Sequence, residues 1–296
     1  MTETELINIK RARLALVDKN EQEALDYYLQ VKEENDVNFE ADFWINAARW
    51  KECEDNNESA SEKWSAFKSM STYLSLAIDG IAKTDGIENE KIVTTAYFTY
   101  AYLPTVPDVT GILGDDMAPR EERVQKAVLG LYWAGNAIER NFNSNQTAMK
   151  IACDLWKAGV ELQQKFQSFD YNGNNAEDYV EKIKKLIPDY ISPKEEREAA
   201  NKKLARKQAY YSVFVLAYLK MMENDEELKF HVNQGLWLLI LEALATVIIM
   251  LVPVVGFLIG AALWVVAILL SCKGSKAAVN DKRYVLPIFG KIKLVK

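Results

Sequence analysis

The chain has 296 residues, a net charge of −6 and 49% hydrophobic residues, which fits one large domain or two of ordinary size. The acidic balance makes nucleic acid a poor partner for the main body of the chain. The three cysteines are widely spaced, which is typical of free thiols in a reducing compartment. The N-terminus lacks the apolar stretch of a signal peptide, so we expect the first 200 residues to be cytoplasmic.

Residues 1–190 have the hydrophobic periodicity of one amphipathic helix after another. The clearest stripe starts at Ala148, Ile151 and Leu155 and recurs every three or four residues as far as Phe169. Short polar stretches rich in Asn, Asp and Gly separate the helical segments, and no segment alternates as a strand would. The pattern predicts an all-α domain over residues 1–190.

Small, aromatic and apolar residues recur at helical spacing near the start of this domain, at Ala12, Ala24, Tyr28 and Val31. In this respect residues 8–50 resemble a tetratricopeptide repeat. The resemblance implies helix pairs that bury their apolar faces by stacking on neighbouring pairs. Asp36 replaces the usual proline, and no regular period continues along the chain. We therefore expect a repeat-like start followed by irregular helices.

Residues 170–181 have some of the oxygen-bearing side chains of a calcium-binding EF-hand loop. These are Asp170, Asn172, Asn174, Asp178 and Glu181. The position that usually holds glycine is Asn175, and a position that is usually apolar is Glu177. An Asn- and Gly-rich turn between two helices is therefore the preferred interpretation, and a calcium site is the alternative. We predict no other metal site and no cofactor.

A new helix is predicted to start at residue 193, because Ser192, Pro193 and Glu195 form a capping sequence. We expect residues 191–230 to connect the helical domain to a membrane segment. Within them, residues 209–222 are apolar but short for a hydrocarbon core of about 30 Å, and they include Lys220. We predict that this stretch lies partly in the membrane interface, and a third crossing is the alternative.

Residues 236–252 and 254–270 are two apolar runs that together contain a single charged residue, Glu242. Pro253 separates the runs and disfavours one continuous helix. The pattern predicts a transmembrane helical hairpin over residues 231–272, with its turn at Pro253. A buried helix pair in a soluble core is the alternative.

The hairpin contains a few polar residues with distinct predicted roles. His231 is the only histidine, and it has neither a second metal ligand nor a nucleophile at a catalytic spacing. We interpret His231 and Gln234 as hydrogen-bonding residues where the chain enters the membrane. Glu242 is either a functional intramembrane carboxyl group or a protonated one that bonds to Thr246 near the interface.

Gly256 and Gly260 form a Gly-x-x-x-Gly pattern, which lets two helix backbones approach each other closely. Their partner is either the first helix of the same hairpin or a second copy of the protein. The second arrangement would make the protein a homo-oligomer, and the pattern fits both arrangements equally well.

Residues 273–296 form a basic tail. From residue 271 onwards the chain has seven lysine or arginine residues and one acidic residue, Asp281. By the positive-inside rule the tail should be cytoplasmic, and two crossings then place both termini on that side. The lipid bilayer is the predicted partner of the hairpin, and anionic lipid is the predicted partner of the tail.

Three short motifs, His-x-x-Gln-Gly, Pro-x-x-Gly and Leu-Pro-x-x-Gly, surround the apolar runs. Their residues are His231, Gln234, Gly235, Pro253, Gly256, Leu286, Pro287 and Gly290. In these motifs residues 205–296 resemble a bacterial membrane domain of unknown function, which is distantly similar to a membrane component of the plastid protein-import translocon. The resemblance implies a bacterial cell membrane location and supplies no reaction.

An enzyme is not expected, because the sequence has no phosphate-binding loop, zinc spacing or catalytic constellation. We expect a membrane-anchored helical-repeat scaffold that binds protein partners at the cytoplasmic face. The alternative is an oligomeric transport or protein-translocation component, which the translocon resemblance and Glu242 favour.

Overall fold

A computed structural model of the protein describes residues 2–111, 118–211, 218, 225–252, 254–287 and 290–294. The regular structure within these ranges is helical and includes no strand, which confirms the predicted all-α fold. The chain divides into two compact units, Met1–Ser192 and Pro193–Lys296, which we call the N-terminal and C-terminal units. Their boundary lies close to the predicted end of the helical domain at residue 190.

The N-terminal unit is built from helices α1 to α9. Their bounds are Glu3–Val17 (α1), Glu21–Glu34 (α2), Phe39–Asp55 (α3), Ala60–Lys83 (α4), Glu88–Tyr102 (α5), Thr105–Thr110 (α6), Arg120–Phe142 (α7), Gln146–Lys165 (α8) and Ala176–Leu186 (α9). Helices that follow each other in the chain pack together, α1 with α2, α3 with α4, α7 with α8 and α8 with α9. Helix α4 also packs on α7 and joins the two halves of the unit. The tetratricopeptide resemblance stays a prediction.

Polar caps determine where many of these helices begin. Thr2 and Ser59 each accept a hydrogen bond from the backbone N–H of a glutamate three residues on, and that glutamate bonds back to the cap. Asparagine side chains cap α2, α3, α8 and α9, at Asn20, Asn38, Asn145 and Asn175. Each cap satisfies an amide that has no partner inside the helix, so the short polar stretches fix the helix starts.

Two glycines allow α7 and α8 to pack closely. A Cβ atom at Gly135 would lie 2.4 Å from Nε1 of Trp156, and a Cβ atom at Gly159 would lie 2.4 Å from Cε1 of Tyr132. Both aromatic side chains are fully buried. Each helix therefore presents a bare backbone position to an aromatic ring of the other, and a side chain at either glycine would force the helices apart.

The C-terminal unit contains α10 (Pro193–Gln208), α11 (Glu226–Leu251) and α12 (Val255–Val279). Helix α10 begins at the predicted residue. Helices α11 and α12 are long and apolar enough to cross a membrane, and only 22% of the most apolar window of each is buried. A helix pair in a soluble core, the alternative considered above, would have most of these residues covered.

The ends of the hairpin differ in detail from the predicted boundaries. Helix α12 continues past residue 272 to Val279, so the non-helical tail starts at residue 280. Pro253, the predicted turn residue, lies outside the described residues, but Val254 next to it has a φ of 61°. This left-handed conformation is rare for a β-branched residue and marks a sharp change of chain direction. Most of residues 209–222 also lie outside the described residues, so their interfacial position stays a prediction.

We expect the cysteines to differ strongly in reactivity. Cys53 and Cys153 are buried, whereas Cys272 is exposed. Burial, together with a hydrogen bond to Glu58, raises the pKa of Cys53 from 9.0 to about 11, so its thiol stays protonated near neutral pH. A thiol reagent should modify Cys272 in the folded protein and reach the other two only after unfolding, as mass spectrometry would detect. Rapid modification of Cys53 in the folded protein at neutral pH would contradict this expectation.

The same pKa shift predicts a pH dependence of stability. Because the folded-state pKa of Cys53 is raised above its unfolded value, its contribution to stability is present below about pH 9 and is lost as the pH rises through about 11. A Cys53→Ala variant should therefore lose less stability between pH 8 and pH 11 than the unchanged protein, in urea unfolding at each pH. Equal losses of stability in the two proteins over this pH range would count against the raised pKa of Cys53.

Candidate functional site

The glutamine at the start of α11 holds the chain that returns after α12. Nε2 of Gln234 donates a hydrogen bond to the backbone carbonyl of Gly290 at 2.7 Å, and its Oε1 accepts one from the backbone N–H of Leu286 at 2.9 Å. The side chain is 1% exposed. Both ends of the amide are thus satisfied by backbone groups that would otherwise be buried without partners.

Two neighbours of Gln234 extend this clasp along the tail. Asn233 and Trp237 both donate to the backbone carbonyl of Ile292, at 3.2 and 2.9 Å. The amide oxygen of Asn233 accepts a hydrogen bond from the backbone N–H of Leu294 at 2.5 Å. Side chains from two turns of α11 therefore hold the backbone at Leu286, Gly290, Ile292 and Leu294, and we call this arrangement the tail clasp.

Gly290 is a point of close contact between the tail and the helix. A Cβ atom there would lie 2.4 Å from the backbone nitrogen of Leu286 and 2.5 Å from Oε1 of Gln234. A larger residue would therefore displace the bonded amide. Residues from two separate short motifs of the sequence thus meet in one place, Gln234 from the first and Leu286 and Gly290 from the second.

His231 lies one turn before Gln234 and is 2% exposed. Its Nδ1 is 3.0 Å from the hydroxyl of Tyr210, and that hydroxyl donates to the backbone carbonyl of Tyr284 at 3.3 Å. A proton on Nδ1 satisfies all three groups in one chain of hydrogen bonds. Burial raises the pKa of Tyr210, so its hydroxyl keeps the proton it donates. The geometry gives His231 a hydrogen-bonding role that joins the end of α10 to the start of the tail.

The ring of Tyr210 rests on a bare position of α12. A Cβ atom at Gly274 would lie 2.2 Å from Cε1 of Tyr210. Neither this glycine nor Tyr210, Asn233 or Trp237 was singled out as a site residue from the sequence. Asn233 and Trp237 lie within one turn of the His-x-x-Gln-Gly motif and Gly274 lies in the second apolar helix, whereas Tyr210 is 21 positions before His231 and has no such signal.

The Gly-x-x-x-Gly pair packs within the hairpin. A Cβ atom at Gly256 would lie 2.5 Å from the backbone oxygen of Ile248, and one at Gly260 would lie 2.7 Å from the backbone oxygen of Ala245. Both contacts are to α11, and Ala245 is fully buried. Of the two partners that the sequence allows, the structure has the first helix of the same chain.

Glu242 lies in the middle of α11 and is half-buried. The hydroxyl of Thr246 donates to the backbone carbonyl of Glu242 at 2.9 Å and not to its carboxyl group. Within the described ranges, the carboxyl group of Glu242 has no hydrogen-bond or ion-pair partner.

The candidate calcium loop uses its side chains to build a turn. Oδ1 of Asp170 accepts from the backbone N–H of Asn172, and Oδ1 of Asn174 accepts from the hydroxyl of Tyr179, both at 3.0 Å. Asn175 caps α9. Among the residues that the structure describes, no three or more His, Cys, Asp or Glu side chains could together hold a metal ion. Asp178 and Glu181 lie on the exposed face of α9.

The N-terminal unit has a groove of about 960 Å³ between α2, α3 and the region from α5 to α6. Its apolar lining includes Leu25, Trp44 and Ile45. Two further lining residues are well exposed, Tyr100 at 57% and Leu29 at 44%. An open groove with exposed aromatic and aliphatic side chains has the composition of a protein-binding surface.

The rim of this groove is acidic. Five acidic and two basic residues line it, and the basic ones are already engaged. Lys51 pairs with Glu21 at 3.1 Å, and Arg49 pairs with Glu52 at 2.8 Å. The other acidic lining residues are Glu54, Asp55 and Asp108, and none of them forms an ion pair within the described part of the chain.

We expect Gln234→Leu to release the tail. The substitution would leave the Leu286 N–H and the Gly290 carbonyl buried without partners, at a cost of about 1–3 kcal/mol each. The two costs together come to about 2–6 kcal/mol, so amide hydrogen exchange at Leu286 should then accelerate by at least about thirtyfold. Trp237→Phe is the matched control, because it removes one of two donors to Ile292 and should leave Leu286 protected. Unchanged protection of Leu286 in the Gln234 variant would show that the clasp does not hold the tail.

A comparison of the chain with protein-family models, with curated proteins and with solved structures finds no match. The tail clasp, the acidic groove and the free carboxyl group of Glu242 are therefore interpreted from their geometry and chemistry.

Proposed function

We propose that the protein is a membrane-anchored scaffold, whose N-terminal unit binds a segment of a partner protein and whose C-terminal hairpin holds it at the cytoplasmic face. The observation that supports the anchor is the outward-facing apolar surface of α11 and α12. The observation that supports binding is the acidic groove, which combines exposed apolar anchoring points with uncompensated charge.

The chemistry of the groove favours a partner segment that is basic and has an apolar side chain. Glu54, Asp55 and Asp108 form no ion pair within the described residues, so they favour lysine or arginine residues of an incoming chain. Tyr100 on α5 and Leu29 on α2 offer exposed apolar surface to that side chain. Burial of such aromatic and aliphatic groups supplies most of the affinity in protein interfaces, and the charges supply selectivity.

The test is a photo-crosslinking residue placed at Tyr100 in the full-length protein in its native membranes. We expect it to capture a peptide that contains several lysine or arginine residues, identified by mass spectrometry. Glu54→Lys with Asp55→Lys should abolish the same crosslink. These residues lie at the carboxyl end of α3, where lysine is favourable for the helix dipole, so loss of the crosslink would not arise from unfolding of α3.

The matched control is Glu161→Lys with Glu181→Lys, which reverses two exposed charges on α8 and α9 outside the groove. The crosslink should survive in this variant. Equal loss in both variants would show that the overall charge attracts the partner, and survival in both would exclude the groove.

The orientation can be tested at Cys272, since it is exposed in the folded protein. If both termini are cytoplasmic, a thiol reagent that does not cross membranes should leave Cys272 unmodified in intact cells. Permeabilised cells should then show full modification, because the thiol needs no unfolding to react. Modification in intact cells would place the end of α12 on the outside.

A second candidate function is an oligomeric transport or protein-translocation component, which Glu242 favours because its carboxyl group has no partner in the described chain. Such residues inside apolar helices commonly line ion or substrate paths. One hairpin does not enclose a pore, so this function requires several copies. Purified protein in bilayers should then conduct, and Glu242→Gln should change the conductance. Absence of conductance would exclude this candidate.

A further inference from the structure

A pocket of about 590 Å³ lies between the first turns of α11 and the returning tail. It is framed by the residues of the tail clasp, since Asn233, Gln234 and Gly290 all line it. The hydrogen bonds of Gln234 to Leu286 and Gly290 hold its two walls at a fixed separation. Its size is within the range of pockets that bind small molecules.

The charges around this pocket are mainly positive. Its basic lining residues are Lys229, Arg283, Lys291 and Lys293, and its one acidic lining residue is Glu226. Lys229 lies 3.6 Å from Glu226, and Arg283 is paired with Glu227. Lys291 and Lys293 are exposed and form no ion pair within the described residues, so two positive charges of the pocket are available to a ligand.

The pocket also has an apolar side. Phe230 and Val285 line it, and the guanidinium carbon of Arg283 lies 5.4 Å from the centre of the Phe230 ring. A ligand that fits must therefore be anionic at one end and tolerate apolar contact at the other.

The position of the pocket along α11 suggests where that ligand comes from. Ile240 is the first exposed large apolar residue of α11, six residues after Gln234. Six residues of helix rise about 9 Å, which is close to the depth of a headgroup layer. If the hairpin spans the membrane as proposed above, the pocket lies at headgroup level with the apolar belt immediately beyond it.

We propose that this pocket binds the phosphate of an anionic phospholipid, with Lys291 and Lys293 as its charged ligands and the acyl chains along α11. This inference rests on the proposed membrane span and adds a specific lipid site to it. The tail clasp then has a second role, because it presents the two lysines on a fixed backbone and not on a mobile tail.

The test is native mass spectrometry of the full-length protein in neutral detergent, titrated with phosphatidylglycerol or phosphatidylcholine. We expect phosphatidylglycerol to bind at least tenfold more tightly. Lys291→Gln with Lys293→Gln should weaken its binding by about tenfold, since each basic residue near an anionic headgroup contributes a several-fold factor, and should leave phosphatidylcholine binding unchanged.

The matched control is Lys273→Gln with Lys276→Gln, which removes the same charge from exposed positions of α12 outside the pocket. Its phosphatidylglycerol affinity should change by less than twofold. Equal weakening in both double variants would indicate diffuse attraction and would overturn the proposal, as would equal affinity for the two lipids.

Competition with inorganic phosphate is a further test, because the same lysines could hold a free anion. Displacement of phosphatidylglycerol by equimolar phosphate would overturn the lipid assignment. Carbonate extraction of membranes that contain the full-length protein distinguishes failure of the proposed membrane span from failure of the lipid pocket. Release of the chain would reject the proposed span, whereas retention without a lipid preference would reject only the pocket.

Discussion

Replacing Arg13 with alanine is expected to lower the free energy of unfolding of the N-terminal unit by about 3–5 kcal/mol. Arg13 forms a two-pronged ion pair with Glu40, at 2.8 Å from Nε and 2.7 Å from Nη2, and the hydroxyl of Tyr28 donates to the same carboxylate at 2.7 Å. The alanine variant would leave the carboxylate buried with the tyrosine as its remaining partner. Breaking a buried pair costs more than the pair itself contributes, because the abandoned charge stays out of water.

The chain supplies a control in Arg140, whose Nη2 contacts both carboxylate oxygens of Asp79, at 2.8 and 2.7 Å. The difference lies in exposure. The side chains of Arg13 and Glu40 are 9% and 6% exposed, whereas those of Arg140 and Asp79 are 60% and 24% exposed. Arg140→Ala should therefore cost less than about 1 kcal/mol.

Both variants can be compared in the full-length protein by pulsed thiol labelling in increasing urea, because the buried Cys153 becomes reactive only when the N-terminal unit unfolds. The Arg13 variant should be labelled at a clearly lower urea concentration than the Arg140 variant. Arg13→Met with Glu40→Gln should recover part of the loss, since it removes both charges together and keeps an acceptor for the buried Tyr28 hydroxyl. Equal midpoints for the two alanine variants would refute this account of the pair.

The helices were predictable because each depends on neighbours in the chain. The stripe from Ala148 to Phe169 became α8, which ends at Lys165, four residues before the stripe does. The capping sequence at Ser192 and Pro193 placed the start of α10. The pairing of Arg13 with Glu40 was not predictable, because the two residues are 27 positions apart and charged residues on a helix usually face solvent. Only the packing of α1 on α2 and of α2 on α3 brings the two charges together and away from water.

The C-terminal site was predictable in its residues and not in its contacts. The motifs singled out Gln234 and Gly290, which are 56 positions apart, but the bonded groups are backbone amides and carbonyls that have no sequence signal. For Gly256 and Gly260 the spacing allowed two partners, and the close contacts with α11 distinguish them. The acidic groove depends on side chains from helices that are separated in sequence, so periodicity within any one helix could not indicate it.

The full-length protein is expected to stay entirely in the membrane pellet after both high salt and alkaline carbonate. Fourteen large apolar side chains of α11 and α12 are more than one-third exposed, among them Leu244, Met250, Phe257 and Leu258. Soluble proteins rarely expose a contiguous apolar surface of this extent. At about 1.5–3 kcal/mol for each fully buried side chain, and allowing for half exposure, transfer of this surface into lipid contributes on the order of 10–20 kcal/mol.

Salt and alkali weaken charge pairing and leave that apolar contribution almost unchanged, so neither treatment should extract the chain. Two comparisons test whether the apolar hairpin is what retains the chain in the membrane. Residues 2–192 expressed alone should be found in the supernatant, because the apolar hairpin is missing from them. Lys291→Gln with Lys293→Gln should stay in the pellet, since removing tail charge affects headgroup contacts and not the buried apolar surface. Release of the full-length protein by carbonate would mean that another protein surface, and not lipid, covers the outward faces of α11 and α12.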